Sequence, residues 1–249
     1  MRWIEAAALV VAVAMAGYAH SSSFSQIPQA PQLPQAPPIP PMSTPTASAQ
    51  IQQRFLVVVD AAHGGNDIGA RIGNGVLEKD ITLGLSARLR STLRAHGIEV
   101  VMTRQTDVSM PPLNRAETAN HAQAAACLVI HATATGSGVH LFTSALGPTA
   151  TARFLPWQTA QSAWVTQSLK LESEIDSALA HAEIPVSLGR ASVEPMDSMT
   201  CPEVAVEMAP LVGGHVTEVR AITDASYQKS VVDAITAALE QWRSDWKQP

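Results

Sequence analysis

The strongest constraint on this chain is an uninterrupted apolar run, Phe55-Leu56-Val57-Val58-Val59, that stops abruptly at Asp60. A strand with no polar side chain on either side of its pleat must be buried on both faces, which happens almost only in sheets covered by helices. Ile98-Glu99-Val100-Val101-Met102, Cys127-Leu128-Val129-Ile130 and Val204-Ala205-Val206 read as further strands, and Val139-His140-Leu141-Phe142 as another, placed at an edge. Between them the period changes. Residues 80–96 place Ile81, Leu85, Leu89 and Leu93 four apart, which predicts an amphipathic helix closed by His96-Gly97. The Ala-rich stretch 114–126 is expected to be helical. So is 159–182, with Trp164, Leu171, Ile175 and Leu179 on one side. The last helix carries Val231, Ile235, Ala238, Leu239 and Trp242 as one stripe. Strands alternating with helices predict a single α/β domain over 51–249, its mostly parallel central sheet flanked by helices on both faces.

The first fifty residues have a different texture. Residues 1–20 hold an uncharged apolar run behind Arg2, too short to span a hydrocarbon core of about 30 Å comfortably and ending in small residues. They are expected to be a signal peptide for export, the alternatives being an uncleaved N-terminal anchor or a buried helix. Residues 21–50 include eight prolines between Pro28 and Pro45 and read as a solvated Pro-rich linker, a spacer rather than a docking peptide. The protein is therefore expected to be exported, to the periplasm or the cell wall, with any membrane contact confined to that N-terminal segment.

Apolar residues make up 46% of the chain and charged residues 15%, which excludes a wholly disordered polymer. With 16 Lys+Arg against 21 Asp+Glu, the net charge of −5 argues against nucleic acid as a partner. Two cysteines make no disulfide scaffold, and no C-x-x-C pair suggests a structural zinc site. Free buried thiols are the default expectation for Cys127 and Cys201, and an oxidising compartment would favour a disulfide instead.

In open α/β sheets, ligands sit beyond the carboxyl ends of the strands, so the residues that follow each apolar run are the informative ones. His63 lies in the turn after the first strand, His131 directly behind Ile130, and Glu207 directly behind Val206. Glu78 opens the helix that follows the glycine-rich loop 64–75 and returns to the same edge. Two imidazoles and a carboxylate with one open position form the ligand set of a hydrolytic zinc site, and a spare carboxylate can exchange the reaction's protons. Each residue also has a bland role, as a turn, helix-end, core or ion-pair residue. The shared edge is what favours the site.

The segment Val57-Val58-Val59-Asp60-Ala61-Ala62-His63-Gly64-Gly65-Asn66-Asp67-Ile68-Gly69-Ala70, followed by Glu78-Lys79-Asp80, resembles the catalytic domain of zinc-dependent N-acetylmuramoyl-L-alanine amidases, the cell-wall amidases. The resemblance runs on through Thr103-Arg104-Gln105-Thr106-Asp107, Leu113-Asn114-Arg115, Ala119-Asn120, Ile130-His131-Ala132, Ser137-Gly138-Val139 and Val204-Ala205-Val206-Glu207, covering about residues 55–245. It implies a sheet of six strands flanked by helices and a Zn2+ ion held by His63, Glu78 and His131. It further implies Glu207 as the catalytic carboxylate, and cleavage of the amide between the lactyl group of N-acetylmuramic acid and L-alanine in peptidoglycan. The chain departs from the family's usual residues at Ala62, at Thr133 and at Met208-Ala209-Pro210, all around the substrate pocket. No inserted helix plugging the zinc site is expected between 139 and 204, and the sequence identifies no protein activator.

Two other readings compete. A zinc carboxypeptidase or other zinc peptidase on a related scaffold commonly spaces its His and Glu three apart, unlike His63 and Glu78. A catalytically inactive peptidoglycan-binding domain would be expected to have lost one of the four polar residues. Arg115 is expected to be a structural ion-pair residue, and Asp60 and Asp67 either to orient the His63 loop or to stabilise its turn. His20, His96, His121, His140, His181 and His215 are assigned surface or capping roles.

Overall fold

The computed structural model describes residues 54–73, 75–149, 155–212 and 219–246. The segments expected to be signal or anchor (1–20) and Pro-rich linker (21–50), with His20 and His215, lie outside the described residues. The apolar runs form strands β1 (Leu56–Ala61), β2 (Glu99–Met102), β3 (Ala126–Ala132), β4 (Val139–Ser144), β5 (Val186–Ala191) and β6 (Glu203–Met208). They make one six-stranded sheet in the order β2-β1-β3-β6-β4-β5. The helices are α1 (Glu78–Ala95), α2 (Pro112–Ala122), α3 (Val165–His181) and α4 (Ala225–Asp245).

Alternating side chains sort the core onto two faces. Val57, Val59, Leu128, Ile130, Val204 and Val206 pack with the stripes of α1, α3 and α4. Val58, Cys127, Val129 and Ala205 pack on the other face with Ala116 and Ala119 of α2 and with Met196 and Met199. Burial of both faces is what the unbroken apolar runs require.

β1, β2, β3 and β6 run parallel, as expected, and β4 departs from the expectation twice. It lies antiparallel to β6, and it is not an edge, because β5 pairs with its other side. The link from β3 to β4 spans only residues 133–138, too short for the crossover that a parallel strand needs, so the chain can only reverse. β5 escaped the sequence reading because it is the true edge: Ser187, Leu188 and Arg190 face outwards, and no apolar pattern marks it. The helix expected over 159–182 is broken at Trp164, a 3-10 segment over Trp157–Ala163 preceding α3.

The default of free thiols is overturned. Cys127 and Cys201 form a disulfide, their Cα atoms 6.0 Å apart, linking β3 to the entry of β6 across a sequence separation of 74. Cys127 pairs in register with Glu203, two residues beyond Cys201, so the strand pairing itself brings the two sulfurs together. Sequence spacing could not show that proximity.

Candidate metal centre and active site

β1 ends in a charged clamp. Arg115, almost fully buried, donates from Nη1 to Asp60 Oδ1 at 2.8 Å and to the Ala61 carbonyl at 2.7 Å, and from Nη2 to the His63 carbonyl at 2.5 Å. Arg104 donates to the carbonyls of Ala61, Ala62 and Lys79. The structural role expected of Arg115 is therefore the one seen, whereas the part played by Arg104 was not anticipated from its position in the sequence. Together the two guanidiniums hold the backbone at the strand end, where His63 takes a left-handed φ of 62° and turns its ring over the sheet edge.

Glu78, the first residue of α1, is buried between the two histidines. Its Oε2 lies 3.1 Å from His63 Nε2 and its Oε1 2.9 Å from His131 Nδ1. The amides of Ala70 and Ala132 donate to the same carboxylate at 2.8 Å and 3.2 Å. Burial alone would push the Glu78 carboxyl up, but the histidine and backbone hydrogen bonds outweigh it and hold the group well below the usual carboxylate range. The Glu78 hydrogen bond, opposed by burial and aided by Asp67, raises His63 above 6.5. Asp67 Oδ2 lies 2.9 Å from His63 Nδ1, which leaves Nε2 as the nitrogen turned to Glu78. Asp67 fills both roles open to it: Oδ2 orients the ring, and Oδ1 accepts from the Gly69 amide at 3.1 Å, which stabilises the turn.

One ligand atom from each of His63, Glu78 and His131 lies within 4.8 Å of the others, a spacing that could hold a metal ion. The chemistry of the donors fits a zinc-like cation, since two imidazole nitrogens and an ionised carboxylate are its ordinary partners. The backbone leaves room for it. A Cβ at Gly69, where φ is +63°, would lie 2.6 Å from Glu78 Oε2 and 2.7 Å from His63 Cδ2, so only glycine passes this close to the cluster.

Glu207 pairs in register with His131 across β3 and β6, so the two side chains leave the same face of neighbouring strands. All four residues singled out in the sequence thus gather at one edge. Beside His131 and Glu207 lies a pocket of about 260 Å3 whose other walls are Phe142, Ala191, Val193, Met196 and Ala205. α3 packs on α4 and the inner strands, on the opposite face of the sheet from that pocket. One residue was misjudged. His140, assigned to the surface, places Nδ1 2.8 Å from Glu207 Oε2. Its place in an alternating strand carried no sign of this, because its partner lies on a strand reached only through the fold.

Comparison with known proteins bears on the family and the fold. The family model described as N-acetylmuramoyl-L-alanine amidase matches residues 57–241. The N-acetylmuramoyl-L-alanine amidase AmiA of Escherichia coli K12 is 42% identical over 77 residues, 31% of this chain and 27% of that protein. AmiC of Escherichia coli O6:H1 is 27% identical over 227 residues, 76% of this chain and 53% of that one. The chain therefore spans from about a quarter to about half the length of these relatives. Among solved structures, the amidase Ami1 of Mycobacterium smegmatis superposes with a TM-score of 0.62 at 19% identity, over 77% of this chain and 98% of that one, a likeness of fold.

Proposed function

Because the chain belongs to the N-acetylmuramoyl-L-alanine amidase family, we propose that it is a zinc-dependent hydrolase of peptidoglycan, cleaving the amide between N-acetylmuramic acid and L-alanine. The observation that carries this reading is the convergence of His63, Glu78 and His131 beside Glu207 at one sheet edge. His63 through Nε2, Glu78 through its carboxylate and His131 through Nδ1 would hold the ion. Bound there, zinc supplies Lewis acidity, polarising the scissile carbonyl and acidifying water.

The chain's own groups do the rest. Asp67 fixes the tautomer and the orientation of the His63 ring. Glu207 accepts a proton from the attacking water as its oxygen bonds to the carbonyl carbon. The same carboxyl then gives that proton to the amine nitrogen as the carbon–nitrogen bond breaks. The apolar pocket next to Glu207 offers a dry wall for the nonpolar parts of the substrate.

Export fits the disulfide, since such bonds persist in oxidising compartments. No described helix is long and apolar enough to cross a membrane. Residues 1–20 are then the export signal or an anchor, and 21–50 a spacer that gives the catalytic domain reach. Mass analysis of digested soluble muropeptides tests the reaction. Free stem peptides beginning with L-alanine are expected, and cuts within the stem would point to a peptidase.

A further inference from the structure

We infer that His140 is a positioning residue for Glu207, a role that rests on the reading of Glu207 as the proton-transferring carboxylate. The arrangement follows from topology. β4 is the strand that runs antiparallel to β6, and His140 sits directly opposite Glu207 in that ladder. Directly opposed residues of an antiparallel pair stand about 4.5–5.5 Å apart and project to the same face, so the imidazole and the carboxylate meet by register. His140 Nδ1 reaches Glu207 Oε2 at 2.8 Å.

The ring is held from its far side as well. A Cβ at Gly136, where φ is +88°, would lie 2.4 Å from both His140 Cε1 and Nε2. The loop after β3 therefore closes on the distal edge of the ring at a residue that has no side chain. His140 and Glu207 side chains are 17% and 29% accessible, so the pair is partly shielded while the carboxylate still opens to the site. His140 Nδ1 engages Oε2, which leaves Oε1 as the oxygen to exchange the proton with water and amine. Because a carboxylate oxygen can only accept, Nδ1 is the donor in this contact, and the bond fixes the carboxylate rotamer. This is how a reacting group is held within a narrow range of geometry, where a small misplacement costs rate rather than binding.

The side chains of Asn and Gln separate this role from a merely structural one. Asn Nδ2 sits at the position of His Nδ1, whereas Gln reaches only as far as Nε2. The test measures kcat, KM, zinc content and thermal midpoint of full-length His140→Asn, His140→Gln and His140→Ala on a soluble muropeptide, with Glu207→Gln alongside. H140A and H140Q are expected to lose about tenfold to a hundredfold in kcat, the scale of a hydrogen bond to a charged group. Their KM should stay within about threefold and their zinc content unchanged, while H140N stays within about threefold of the wild-type kcat. H140A at wild-type turnover, H140N as impaired as H140Q, or zinc loss in either polar variant overturns the inference. Should H140A fail to fold, the contrast between H140N and H140Q decides alone. An inactive E207Q beside a fully active H140A defeats this inference only, whereas an active E207Q defeats the reading of Glu207 and this role with it.

Discussion

The two ends of strand β6 bury acidic chemistry in opposite ways. At its carboxyl end Glu207 faces His140 and lies beside His131, in an edge where carboxylates have partners. There Glu78, though buried, meets two histidines and two backbone amides and is held ionised. At the other end Glu203 is fully buried, and neither carboxylate oxygen has a hydrogen-bond partner among the described residues. Burial, reinforced by Asp197, Asp60 and Glu172, pushes the Glu203 carboxyl well above 4.5. Burial thus pushes both carboxyls the same way, and the hydrogen-bond partners decide whether that push prevails. The Glu203 end is instead joined covalently, by the disulfide between Cys127 and Cys201. One end gathers partnered polar side chains, and the other is tied by a covalent bond.

The largest expected effect tests the polar end. Glu207→Gln should lose about 10²–10⁴-fold in turnover, the usual worth of general acid–base catalysis, while retaining zinc by metal analysis. His63→Ala should lose the metal as well as the activity. If E207Q releases zinc, Glu207 is a ligand and the division of labour at this edge is wrong.

At the cohesive end, replacing both cysteines by alanine should lower unfolding stability by about 4 kcal/mol, the chain-entropy value for a loop of this length. Denaturant titration measures it. The folded variant should keep its zinc, because no ligand lies at that end of the sheet. Zinc loss from the folded variant would show that the two ends are coupled.

A smaller effect is expected for Asp67→Asn, which weakens the partner of His63 Nδ1. Zinc affinity, read by chelator competition, should fall about 10–100-fold. In the wild type that affinity should decline as pH drops through the raised His63 value, because ligation needs the neutral ring.

The smallest effect concerns Glu203→Gln, and its sign runs the other way. A carboxyl whose folded value is raised contributes stability that is fully present below its unfolded value near 4.5 and is lost as pH rises through the folded one. The variant removes that titration. Its thermal midpoint should match the wild type near pH 4 and exceed it by a few degrees at pH 8. A variant less stable at pH 8 would mean that Glu203 has a stabilising partner.

Much of the candidate site's placement was legible in the sequence because it sits at strand ends. A buried apolar run declares both a strand and its terminus, so His63, His131 and Glu207 could be placed on one edge from local pattern alone. Glu78 followed from where the loop must return. What stayed hidden depends on neighbours. His140 looked like an ordinary polar position in a strand, and β5 lacked a pattern because an edge strand needs none. The disulfide depended on a register that brings Cys127 level with Glu203.

By itself, then, the sequence determined five of the six strands, the helical stripes and the four residues offered to the sheet edge, since each follows from burial periodicity within a short window. Only the tertiary structure decided that β6 inserts between β3 and β4, that β4 therefore runs antiparallel, and that His140 meets Glu207 while Cys127 meets Cys201. Strand order and register arise from packing among segments far apart in the chain, and no local pattern of side chains encodes which distant strand will lie alongside.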